Sequence, residues 1–304
     1  MGIDKTASDR KGRSSEAKKQ RNRQRRLHPV QNLYDTCKEV FADCRPDVVP
    51  SPENVERVKA ILDKMSGTDV GLWPSQTFFK ATGNDKPPRI TYMGIHECDK
   101  FSIGIFCLPP SGVMPLHNHP GMTVFSKILF GKMHIQSYDW VDGDPNVDKS
   151  YNYLVSLEKD PNDGILFLTL DWRADWGLAN VGMHAGNPSG VRLAKMKVNS
   201  DFSAPCKSSI LYPKDCNMHC FRALTACAVL DVLVPPYNDL EGRHCQYYSE
   251  FPFSNGPGEE GVAQSAPEVP EEGPEKGYVW LKERAMPEDL AFVGALYKGP
   301  KLAK

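Results

Sequence analysis

The sequence predicts a mainly β chain, a jelly-roll barrel with helices on its N-terminal side. Three observations carry that expectation. Short runs rich in β-branched and aromatic residues follow one another from residue 90 to residue 233; Gly, Pro, Asn and Asp punctuate them; and two segments of helical period precede them. The 304 residues leave room for one large domain or two modest ones. A hydrophobic content of 40% and a charged content of 25% are ordinary for a globular chain. No apolar run approaches the ~18 residues of a membrane-crossing helix, so no membrane association is expected.

Residues 1–28 read as a disordered basic tail. Residues 1–30 carry ten Lys and Arg against three Asp and Glu, a surplus of +7 inside a chain whose net charge is −1. Arg10 to Arg26 holds two basic clusters around a short spacer and almost no apolar residue. A nuclear-import signal, a nucleic-acid-binding arm and a solubilising tail all fit that pattern. No aromatic residue is interleaved, so base stacking and direct nucleic-acid contact are not expected. The start lacks the apolar region of a secretory signal. The nine cysteines, odd in number and without a CxxC pair, read as reduced thiols. Nucleus and cytoplasm are the expected locations.

Val30, Leu33, Tyr34, Cys37, Val40, Phe41 and Cys44 recur at helical spacing, which predicts a helix over 30–44. A second helix is expected over about 52–65. Ser51 can cap it, Pro52 suits its first position, Val55, Val58, Ile61, Leu62 and Met65 form its stripe, and Gly67 ends it. The strands expected next are Ile90–Ile95, Phe101–Leu108, Thr123–Phe130, Lys132–Tyr138, Arg192–Val198, Ser209–Tyr212 and Ala226–Leu233. Residues 256–277, rich in Pro, Gly and Glu, read as a disordered acidic loop. A last ordered piece is expected to pack back on the barrel through Trp280, Leu281, Leu290 and Phe292.

The stretch Pro115–Met122, PLHNHPGM, sets two of the chain's eight histidines one residue apart between prolines. In extended backbone, residues i and i+2 point the same way, so His117 and His119 would aim two imidazoles at one point. A bidentate metal site and a polar turn with two solvated histidines share this sequence. A metal would need a further protein ligand. His28 lies in the basic tail and His184 in an irregular Gly/Asn/Pro stretch. His96, His134, His219 and His244 remain, and His219 stands out in LYPKDCNMHCF, where Pro213 and Asn217 signal a turn before a strand.

Gly112 and Gly131 bracket the His pair in a pattern that resembles the first cupin motif, and the Pro213–His219 turn resembles the second. Cupins are small β-barrels, double-stranded β-helices, whose mouths hold metals on inward-pointing side chains. The glutamate usual in the first motif would fall at Thr123 or Val124. The site is then three neutral histidines. A divalent ion so held keeps its full charge and favours an anionic ligand such as a thiolate, with room for an amine and dioxygen.

The stretches PVQNLYDTCKEVFAD, FSIGIFCLPPSGVMPLHNHPGMTVFSKILFGKMHIQSYDWVD, LYPKDCNMHCF, DVLVPPYNDLEGRHCQYYSEFPFS and WLKER…PEDLAFVGALYKGPKL resemble the plant cysteine oxidases, thiol dioxygenases related to cysteamine dioxygenase. The resemblance covers most of residues 30–149 and 190–304. It implies an iron(II) cupin enzyme that adds both atoms of dioxygen to the N-terminal cysteine of a protein, making a sulfinic acid. Group VII ethylene response factors are the substrate type it implies, which feeds the N-degron pathway and oxygen sensing. A monomer is expected. His117, His119 and His219 match the iron ligands. Asp231 and Tyr237 match residues lining the substrate pocket. Cys245 and Tyr247 match a pair that in relatives sits near iron and is sometimes crosslinked.

A zinc hydrolase or lyase, and an inactive cupin acting as a nuclear binding protein, are the competing readings of the same residues. Two departures bear on them. Asp215-Cys216 stands where the family commonly has Gly-Gly, and Val234 stands where it has Gly, so a β-branched residue meets a place that a positive φ would suit. Residues 151–189 have no counterpart in the resemblance. They read as an insertion dispensable for the chemistry, and its apolar ILFLTL has no expected partner.

Overall fold

The computed structural model describes residues 28–80, 88–141, 191–253, 277–288, 290 and 292–303, together with the backbone of 154–159 and 166–171. The basic tail before His28 and the acidic loop over 256–276 lie outside the described residues.

Helix α1 spans Pro29–Val40 and helix α2 spans Pro52–Leu62. Both begin with proline, whose fixed φ suits the first turn. In α2 the Ser51 hydroxyl accepts from Asn54 N–H at 3.3 Å, as expected of its cap. His28 is the cap of α1, its Nδ1 accepting from Val30 N–H at 3.4 Å, and so belongs to the fold rather than to the tail. Both helices are shorter than their apolar periods. Phe41 leaves α1 and is buried against the sheet, while Pro46 disfavours helix in the residue before it. Asp63 ends α2, where its Oδ1 accepts from Ser208 N–H at 2.6 Å and from Ser208 Oγ–H at 2.7 Å. Gly67 does not end that helix. It opens a short 3-10 turn, Gly67–Val70, and an added Cβ there would meet the Phe130 ring at 2.6 Å, so close approach is what requires glycine.

The strands are β1 Ile90–Glu97, β2 Ser102–Leu108, β3 Val113–His117, β4 Thr123–Phe130, β5 Lys132–Trp140, β6 Leu154–Lys159, β7 Leu166–Asp171, β8 Val191–Ser203, β9 Ser209–Leu211, β10 Met218–Ala223, β11 Cys227–Val234, β12 Tyr247–Pro252, β13 Tyr278–Arg284 and β14 Phe292–Gly294. They form an open six-stranded sheet, ordered β14-β1-β2-β11-β4-β9, and a second six-stranded sheet that closes through β10-β3-β12-β13-β8-β5. This is the cupin-type double-stranded β-helix, with two helices on its N-terminal side. β3 and β10, which carry histidines, are less regular in sequence than the strands read from it, and β12 and β13 flank the acidic loop. Within 151–189 the described backbone is a hairpin of its own, in which β7, containing most of ILFLTL, pairs with β6.

One core lies between the helices and the outer face of the open sheet, where Leu33, Phe41 and Val58 meet Ile103, Phe125 and Leu230. Another fills the inside of the barrel with Leu108, Ile128, Met133, Phe221 and Val229. Leu281, expected to pack back on the barrel, is fully buried in β13, and Leu290 packs on the inner core; Phe292, at the sheet edge, sets its ring against Phe106, and half-buried Trp280 stacks on Phe253. No described helix is long and apolar enough to cross a membrane.

Candidate metal centre

β3 and β10 run antiparallel, and their pairing places His219 directly opposite His117. His119 lies two residues past the end of β3, where a turn begins. There Met122 N–H donates to the His119 carbonyl at 3.1 Å, and Gly121 takes φ +65°. The turn is held from outside by Asp47, whose N–H donates to the Gly121 carbonyl at 2.9 Å. The three imidazoles converge all the same. Their ring centroids stand 4.7 to 5.0 Å apart. One ligand nitrogen from each lies within 4.8 Å of the others. Among the described residues this is the one such cluster of metal-ligating side chains.

Burial makes these rings neutral. It lowers His117 to about 4 against a weaker opposing effect of the Pro115 carbonyl, and it holds His119 and His219 well below the usual range, helped by the neighbouring imidazoles. The tautomers of the first two follow from their partners. His117 Nδ1–H donates to the Pro115 carbonyl at 2.8 Å. The Tyr237 hydroxyl donates to the Asn118 carbonyl at 2.8 Å, so it accepts from His119 Nδ1–H at 2.7 Å. Each ring is thereby left with its Nε2 lone pair uncommitted. The His119 Nε2 stands 3.5 Å from His219 Nε2. Neutral nitrogens gathered so closely in a buried site repel unless positive charge lies among them, and the donor set fits a divalent metal ion.

The residues around the cluster fall into two groups. On the His117 side, Tyr247 pairs with His117 across β12 and β3, its ring 6.2 Å away. The Cys245 thiol is in hydrogen-bonding contact with Tyr237 and Tyr247. Burial, reinforced by Cys245, raises the Tyr237 phenol, which stays protonated at all ordinary pH. On the inner side a cavity of about 120 Å³ reaches His219, lined among others by Ser126, Ile128, Ser137, Phe221 and Val229. Asp231 shares its strand face with Val229 and pairs with Ser126. Its carboxylate accepts from Ser126, its Oδ1 has no hydrogen-bond partner, and burial raises it to about 6.

The other histidines weighed from the sequence are engaged elsewhere. His134 bonds Asp201 and Asn199, each at 2.8 Å. His96 packs on Tyr34 and Phe101, and His244 is exposed. His184 lies outside the described residues. At the place of the missing glutamate, Val124 packs with Met122, Leu211 and Tyr237, while Thr123 is buried with its hydroxyl unpartnered.

The turn before His219 contains groups that sequence reasoning missed. Asp215 and Asp139 share a hydrogen bond, and Asp139 Oδ1 accepts from Cys216 N–H at 2.6 Å. Lys197 Nζ lies 3.3 Å from Asp139 and 4.0 Å from Asp215. Burial and the Asp139 charge push Asp215 up to about 7. Nothing in the spacing of residues 139, 197 and 215 signals this cluster. Cys216 takes φ +53°, the left-handed conformation that a glycine adopts without cost. Val234 does not: it ends β11 in extended backbone, so its branched side chain meets no strain of that kind.

Residues 61–302 match the family model described as PCO_ADO. The chain is 46% identical to "Plant cysteine oxidase 2" of Arabidopsis thaliana over 294 residues, covering 95% of this chain and 90% of that protein. It is 48% identical to "Plant cysteine oxidase 1" of the same plant over 279 residues, covering 90% and 80%. It is 29% identical to the human "2-aminoethanethiol dioxygenase" over 257 residues, covering 83% and 82%.

Proposed function

The chain belongs to the PCO_ADO family and is a thiol dioxygenase, and on that premise we propose that it is an iron(II) enzyme that oxidises the N-terminal cysteine of proteins to cysteine sulfinic acid. Both oxygen atoms end on sulfur: the thiol loses four electrons, one dioxygen takes them, and no other reductant is needed. Iron(II), held by His117, His119 and His219, supplies the redox centre for that exchange. The observation that carries this reading is the donor set, three buried neutral imidazoles with no carboxylate among them. Such a set leaves the positive charge of the ion uncompensated and favours a thiolate as the fourth partner.

The remaining roles belong to the chain's own side chains. The unpartnered Oδ1 of Asp231 suits an α-ammonium, and at neutral pH a group near 6 is largely ionised. Tyr237 orients His119 and closes the rim beside Cys245, which with Tyr247 packs against the His117 side. Group VII ethylene response factors are the substrate type, oxygen sensing through the N-degron pathway is the setting, and a monomer acting in nucleus and cytoplasm is the working form. In this reading 28–304 is one catalytic domain behind a tail that ends before His28, and 151–189 is an insertion that the chemistry does not need.

The test is mass spectrometry of a Cys-initiated peptide incubated in air with the iron-loaded protein. The expected product is heavier by two oxygen atoms, and acetylating the peptide's amine abolishes it. Zinc in place of iron with hydrolytic activity, or metal retained without turnover, would replace this reading by a zinc hydrolase or by an inactive binding protein. Undiminished oxidation of the acetylated peptide would remove the N-terminal specificity.

A further inference from the structure

The hydrogen-bond ladder between β3 and β10 stops at the His117–His219 pair. One step beyond it, a side chain takes over from the backbone. Asn217 Oδ1 accepts from His119 N–H at 2.8 Å, and Asn217 Nδ2–H donates to the His119 carbonyl at 2.8 Å. The two bonds are those a facing strand residue would make with both peptide groups of His119. A further Nδ2–H contact to the Tyr212 carbonyl, at 3.1 Å, ties the same amide to the start of the turn. Asn217 is buried, and each of these bonds is made away from water.

The connectivity gives this amide a particular consequence. Asn217 stands two residues before His219 and holds the peptide groups of His119, 98 residues away in sequence. Positions of two of the three imidazoles are thus tied through one side chain that touches neither ring. We propose that Asn217 is a positioning residue that sets the His119–His219 separation before metal arrives, so that little ordering remains to be done on binding. The inference rests on the reading of the three histidines as a metal centre. It goes beyond that reading in assigning the preorganisation of the centre to one amide outside it.

The experiment compares the full chain with Asn217→Asp, Asn217→Ser and Ser208→Ala. Asn217→Asp keeps Oδ1 but turns a second carboxylate oxygen toward two carbonyls. Ser208→Ala removes a buried side-chain anchor of similar kind, to Asp63, at a residue that shares the inner cavity with His219 but whose bonds go to Asp63 and not to the histidines. Iron(II) and cobalt(II) affinities are measured anaerobically by chelator competition, the cobalt(II) spectrum is recorded, and the metal-free forms are melted. Both Asn217 variants should bind either metal about tenfold to a hundredfold more weakly and shift the cobalt(II) spectrum, the cost usual for losing an outer partner of a ligand. Ser208→Ala should lower the melting temperature and leave affinity and spectrum unchanged. Parental affinity and spectrum in the folded Asn217 variants would overturn the proposal. So would a loss that Ser208→Ala reproduces at equal loss of melting temperature. Where Asn217→Ser fails to fold, the near-isosteric Asn217→Asp decides. A full chain that binds neither metal overturns the metal centre itself, whereas binding insensitive to Asn217 overturns only this inference.

Discussion

The two segments that meet at the metal centre are built differently. His117 is fixed from close by in sequence, its ring by the Pro115 carbonyl, and His119 opens a local turn through Gly121, while its ring and peptide groups take their partners from Tyr237 and Asn217. His219 is held from far away. Its turn depends on Asp139, Lys197 and the His119 backbone, and it contains Cys216 in a left-handed conformation and Asp215, whose carboxyl shares a hydrogen bond with Asp139 of β5. The first segment is a local motif that sets His117 and the turn after His119, with two distant side chains, Tyr237 and Asn217, completing His119. The second is a strained turn, positioned by contacts that exist only when the barrel has closed. A metal site with one mostly local half and one wholly assembled half should show different sensitivities on its two sides.

The largest expected effect removes the assembled half altogether. His219→Ala should lose stoichiometric metal and more than about 100-fold of turnover, beyond the cost of losing any outer partner. Metal analysis of the purified variant checks this; full retention would mean that the third ligand is not His219.

Tyr237→Phe tests how local the first half is. It leaves the Asn118 carbonyl and His119 Nδ1–H without their hydroxyl, and His119 is then free to change tautomer. Metal affinity should fall about tenfold to a hundredfold while the His117 contact to Pro115 persists. Equal affinity in a folded variant, measured by chelator competition, would show that the turn alone orients His119.

The smallest expected effect concerns the strained turn and is a matter of pH. Asp215 lies at about 7 in the folded chain, above its ordinary value of 3.8, so between those values the folded state binds more protons than the unfolded one. Its stabilising contribution is therefore present in acid and is lost as pH rises through 7. Asp215→Asn removes that loss and can still donate to Asp139. In urea unfolding of the metal-free chain, the variant should gain on the parent by about 1–2 kcal/mol between pH 5 and pH 8, less than the full shift because Lys197 lies beside the pair. A gap that does not change with pH would mean that Asp139, not Asp215, carries the shared proton.

Much of the molecule was legible in the sequence because it follows short-range rules. Ser51 and Pro52 started α2 as expected, and Thr123–Phe130 is a strand over the expected bounds. Alternation and turn residues suffice there, since one face of each strand must be buried. The His-x-His pair could be read for a related reason: one residue of separation limits how far two side chains can diverge. His219 was legible only through the turn signals around it. Helix ends were not legible, because Phe41 and Asp63 leave their helices for partners in the sheet and at Ser208.

The sequence by itself determined the class of fold, the types of ligand and the lack of a carboxylate among them. It could do so because residue type and period are properties of the chain. Only the tertiary structure decided that Asn217 meets the His119 backbone, that Tyr237 sets the His119 tautomer, and that Asp139, Lys197 and Asp215 gather behind Cys216. These contacts join residues that share no period and lie far apart in the chain, and their geometry comes from which strands become neighbours when the barrel closes.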